Sequence, residues 1–95
     1  MLVLAWNCHG MAWPTTARKL KALVRNFNPS CIFLQETKYV SRVVVIIERL
    51  GFLKHCIISF VGIAGGLCLA WKEEIDLEVT LANQNIINAL ILLEP

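Results

Sequence analysis

The sequence predicts an α/β fold. Two observations carry this: a strand–helix–strand unit with short connections over residues 2–34, and a run of short alternating strands after Gly51. A third sets the scale. The chain has 95 residues, 57% hydrophobic and only 17% charged, where charged residues average about 25%. That composition excludes intrinsic disorder, acidic tails and collagen-like or low-complexity chains. It also supplies more apolar surface than 95 residues hide easily.

Leu2 to Trp6 is an apolar run that reads as a buried strand ending at Asn7, and Cys8 to Trp13 as a loop. Pro14 suits the first turn of a helix, with Thr15 or Thr16 as its cap. Ala17, Leu20, Leu23, Val24 and Phe27 recur at helical spacing, with Arg18, Lys21 and Arg25 on the wet face. Asn28-Pro29 stops that helix. Cys31 to Leu34 is the second strand, ending at Gln35-Glu36-Thr37. A unit of this kind places its two strands parallel, with a right-handed crossover.

Val43 to Ile47 is β-branched and favours a strand by propensity. Yet Val43, Ile46, Ile47 and Leu50 fall on one helical stripe, Ser41 offers a cap and Gly51 a stop. The spacing predicts a helix over 42–50, with Val44 and Val45 as misfits on its outer side. Four strands follow at His55–Phe60, Gly66–Trp71, Ile75–Leu81 and Ile86–Leu92, with turns at 62–65, 72–74 and 82–85. No repeat or linker divides the chain.

The stretches 55–71 and 79–93 lack charge for long enough to consider a membrane span. Glycines and His55 interrupt the first, and four Asn or Gln residues the second. Neither reaches the ~20 apolar residues a spanning helix needs. No basic segment opens a signal peptide. The expectation is an intracellular chain without membrane contact. Cys8, Cys31, Cys56 and Cys68 show no metal spacing and read as buried reduced thiols. Net charge is +2, unevenly spread: residues 18–54 hold eight basic groups against two acids, residues 55–95 one against five. Such an asymmetry suits solvated helix faces, and a basic front half also favours a polyanion.

In a parallel sheet, ligand-binding side chains sit just past the carboxyl ends of the strands. Those positions are Asn7 and Glu36. A carboxylate beside an amide oxygen suits a hard cation such as Mg²⁺, which polarises a phosphoryl oxygen or generates hydroxide. The same pair also reads as strand-end polars facing water.

Leu4-Ala5-Trp6-Asn7-Cys8-His9-Gly10-Met11 resembles the opening motif of the endonuclease/exonuclease/phosphatase superfamily. Phe33-Leu34-Gln35-Glu36-Thr37-Lys38 resembles its second motif, and the segment from Gly62 to Lys72 its glycine hairpin. The three words stand in register from residue 1 to about 92, and they are most similar to the endonuclease domains of plant-type LINE (non-LTR) retrotransposons. The resemblance implies the N-terminal half of a two-sheet α/β sandwich, truncated. It implies Mg²⁺- or Mn²⁺-dependent phosphodiester hydrolysis on DNA, and nuclear action for an active retroelement product. Glu36 maps onto the family's metal-binding glutamate, Asn7 onto the asparagine that orients the metal site, and Gln35 onto a supporting position.

His9 stands where the plant elements usually carry arginine, and Ala64 replaces a serine of the hairpin. The family's later motifs have no match in the sequence: a catalytic tyrosine, a Gly-Asp-Phe/Trp-Asn word and a terminal Asp-His pair. His9 and His55 are expected in structural or surface roles. The chain then reads as a partial endonuclease domain, weak or lacking in metal binding and inactive alone. The alternative is a non-catalytic α/β binding module that dimerises through an exposed sheet.

Overall fold

The structure, a computed structural model, describes residues 1–11, 14–59 and 65–92. Trp13 and most of the turn at 62–65, including Ala64, lie outside the described residues. The element order is β1 (Val3–Asn7), α1 (Pro14–Phe27), β2 (Cys31–Gln35), α2 (Val40–Arg49), β3 (Lys54–Ile58), β4 (Leu67–Trp71), β5 (Asp76–Ala82) and β6 (Ile87–Leu92). The expected α/β class and each expected element are present.

The first sheet has the order β1-β2-β4-β3. β1 and β2 pair in parallel, Val3 with Cys31 through Asn7 with Gln35. β4 runs antiparallel between β2 and β3. Side chains alternate across this sheet, so each strand feeds two cores. Ile32, Leu34, Cys68 and Ala70 face the helices and pack with Leu20, Val43, Ile47 and Phe52. Cys31, Leu69 and Trp71 face the second sheet, β5 with β6, and pack against Leu77, Val79, Ile87, Ala89 and Ile91. That face is therefore covered, although the sequence leads one to expect it bare. Cover stops short of β1, where Val3 and Ala5 on this face stay exposed.

The helix boundaries follow local chemistry. Asn28 takes a left-handed φ of 46° and returns its amide to the Val24 carbonyl, which ends α1. Gly51, at φ 96°, ends α2: its amide reaches the Glu48 carbonyl and that of Phe52 the Ile47 carbonyl. These two bonds form a Schellman motif, which buries Phe52 completely. The expected caps are displaced. Thr15 and Thr16 lie inside the first turn of α1, and Ser41 inside that of α2, whose N-cap is Tyr39 without a side-chain bond. Each helix begins a residue or more earlier than its hydroxyl would place it.

No helix among the described residues is long and apolar enough to cross a membrane.

Candidate functional site

The parallel pairing of β1 with β2 does not stop at the strand ends. The Cys8 amide donates to the Gln35 carbonyl at 3.0 Å, Gly10 to Glu36 at 2.7 Å and Met11 to Thr37 at 3.2 Å. On the other side of β2, the Thr37 and Lys38 amides reach the Gly66 and Gly65 carbonyls at 3.3 and 2.9 Å. The segment 36–38 is thus held from both flanks, with Thr37 buried beneath it.

Among the described residues, this stitched rim carries most of the left-handed backbone. His9, Glu36 and Lys38 have φ of 52°, 56° and 62°, and Gly10, Gly65 and Gly66 are also left-handed. A non-glycine residue in that region costs of order 1 kcal/mol or more and persists only where its surroundings over-determine it. Here those surroundings are the paired amides. Left-handed turns at 9 and 36 break the strand alternation and bring both side chains to the same rim.

Asn7 ends β1 opposite Gln35, so Glu36 lies one residue beyond it on the neighbouring strand. His9 bridges the two. Its backbone amide donates to Asn7 Oδ1 at 3.2 Å, and its Nδ1 lies 2.9 Å from Glu36 Oε2. The imidazole is 78% exposed and the carboxylate 39%. His9 is a surface residue, as expected, but it sits on the key carboxylate. The aliphatic stem of Lys38 covers Gly10, where an added Cβ would stand 3.2 Å from Lys38 Cδ.

Beneath the rim, Cys8 directs its Sγ to the Gln35 carbonyl at 3.1 Å. Burial pushes its thiol up, the Gly10 backbone bond opposes this, and the Glu36 charge adds to the rise. Cys68, deeper in the same core, is pushed up to about 12, chiefly by burial. Both thiols are buried packing groups under the site, where burial disfavours the thiolate. His55 is remote: it is the second residue of the edge strand β3 and pairs through Ala70 to the level of Ile32. That is four residues short of Glu36, about 13 Å along the strand direction. A separate cavity of about 260 Å³ lies between the helices, lined by Arg18, Lys21 and Arg49 over Ile46 and Leu50.

Glu36 and the free lone pair of Asn7 Oδ1 are hard oxygen donors at adjacent strand ends. They fit Mg²⁺ or Mn²⁺ in kind. Among the described residues no group of three or more His, Cys, Asp or Glu completes a cage. The sequence singles out Asn7 and Glu36 and reads His9 as a structural or surface residue; the structure brings His9 and Lys38 onto the same rim, and their place inside the same two motif words was the signal.

The chain is thus of the two-sheet α/β class, with Asn7 and Glu36 at or just beyond the ends of adjacent parallel strands. The model of the Endonuclease/Exonuclease/phosphatase family matches residues 4–92, and the chain belongs to that family. Its members are nuclease- and phosphatase-type enzymes, generally metal-dependent and generally acting on nucleic acids. A search of curated proteins returned no match.

Proposed function

We propose that the chain is part of a metal-dependent DNA endonuclease domain of retroelement origin, in which Glu36 and Asn7 hold Mg²⁺ or Mn²⁺. One observation carries the reading. In a chain matched by the family over residues 4–92, those two residues stand at adjacent strand ends, bridged by His9. The plant-type LINE kinship rests on the words around Asn7 and Glu36, and the nucleus is where such a product acts.

The division of labour follows from the donor set. Bound there, a divalent cation supplies charge stabilisation for a phosphoryl oxygen. The chain's own part is to fix that charge. Glu36 supplies the anionic ligand, and Asn7 a neutral oxygen oriented by its bond from the His9 amide. Hydrolysis also needs a base for the attacking water, worth typically 10²–10⁴-fold. Of the two histidines, His9 is engaged with Glu36 and His55 sits at the other end of the sheet. The chain alone therefore holds metal weakly and does not nick DNA.

The test is relaxation of supercoiled plasmid by residues 1–95 with Mg²⁺ or Mn²⁺. No nicking by the wild type is expected. Nicking that disappears in Glu36→Gln would overturn the inactivity and place catalysis at this rim.

A further inference from the structure

We infer that His9 is a metal ligand, and that its nitrogen turns the strand-end site toward divalent transition-metal ions over Mg²⁺. The inference rests on the reading of Glu36 and Asn7 as cation-holding residues.

The first argument is spacing. His9 Nδ1 and Glu36 Oε2 are 2.9 Å apart. Two ligands bound at right angles, each about 2.1 Å from one cation, stand about 3 Å from each other. The pair already has the separation of two adjacent ligands. Without a cation the same distance is a hydrogen bond, with the imidazole proton on Nδ1. With the ring in its other neutral tautomer, Nδ1 presents a lone pair beside the carboxylate oxygen.

The second argument is the backbone. His9 is held at φ 52°, away from the extended backbone of β1. Its amide is tied to Asn7 Oδ1 and the next amide, of Gly10, to the Glu36 carbonyl. Both neighbours that fix the main chain of His9 are the residues that offer oxygen to the ion. Strain of this kind collects where a side chain must be aimed. The ring is exposed on a rim whose other donors are oxygen.

The third argument is ligand chemistry. Imidazole suits Zn²⁺, Cu²⁺, Fe²⁺ and Ni²⁺, whereas carboxylate, carbonyl and water suit Mg²⁺ and Mn²⁺. An arginine at this position pairs with the carboxylate but never ligates. A histidine does both.

The experiment uses Mn²⁺, Zn²⁺ and Mg²⁺ as probes on the whole chain. Binding is measured by titration, and the Mn²⁺ sphere by pulsed electron paramagnetic resonance. The variants are His9→Gly, which accepts the left-handed φ without a side chain, and Glu36→Gln. Nitrogen modulation from a directly bound imidazole is expected in the wild type and is lost in His9→Gly. Zn²⁺ affinity, titrated alongside, should fall about tenfold in His9→Gly, the order seen when a metal site loses one supporting group, with Mg²⁺ affinity changed far less. Mn²⁺ binding that depends on Glu36 but shows no nitrogen modulation would overturn the role of His9 and leave the Glu36 site standing. Mn²⁺ binding indifferent to Glu36→Gln would overturn the site itself.

Discussion

Single residues set the rim. Gly66 and Gly51 share a left-handed backbone, at φ 104° and 96°, yet they meet different surroundings. A Cβ on Gly66 would collide with Thr37 Oγ1 and crowd the Lys38 amide, whereas one on Gly51 meets nothing. Gly66→Ala should therefore cost about 3 kcal/mol or more, with backbone strain and a clash added together. Gly51→Ala should cost only the strain, about 1–2 kcal/mol. Chemical denaturation of both variants checks this, and equal losses would show that the rim yields to accommodate a methyl group. At this scale the sequence was half legible. Asn7 and Glu36 were readable because strand ends in parallel sheets carry function. His9 was not, because alternation along a strand sends neighbouring side chains to opposite faces. That rule fails once φ turns positive at 9 and 36, and nothing in the residue types announces the turn.

Elements were legible wherever apolar spacing and a stop agreed. For α2 the stripe Val43, Ile46, Ile47 and Leu50 outweighed the strand preference of the β-branched run Val43 to Ile47, since burying one face stabilises more than propensity opposes. The cost of that compromise sits on the outer side, where Val45 is 48% exposed. Val45→Ala should stabilise the chain by about 0.5 kcal/mol, with no change in the steepness of the urea transition. A loss of stability would mean that Val45 makes packing contacts its exposure does not suggest. Pro14 opens α1 as its fixed φ suggests, but Thr15, Thr16 and Ser41, good caps in isolation, lie inside the first turns of the two helices. The position of β4 between β2 and β3 was not readable either, for pairing order depends on tertiary packing that no local pattern encodes.

The whole molecule buries its apolar excess in two cores on either face of one sheet. Besides the bare flank at β1, the outer face of β5 and β6 stays uncovered, where Leu81, Leu90 and Leu92 are 51%, 54% and 57% exposed among Asp76, Glu78 and Thr80. Two-stranded sheets with apolar outer faces associate. Oligomers are expected at micromolar concentration by sedimentation. Leu90→Lys and Leu92→Lys should reduce them without unfolding the chain, because Leu90 lies opposite Glu78 and Leu92 opposite Asp76. A monomeric wild type would show that this face tolerates water. A rival place for the cation exists: Glu73, Glu74 and Asp76 line one cavity with Lys54, beyond the end of β4 away from Glu36. Paramagnetic broadening of backbone amide signals by Mn²⁺ separates the two. Binding at the rim predicts that the amides of residues 8–11 and 36–38 broaden first, with the effect abolished in Glu36→Gln. Broadening that begins at residues 73–78 and survives Glu36→Gln would contradict a metal site at the ends of β1 and β2.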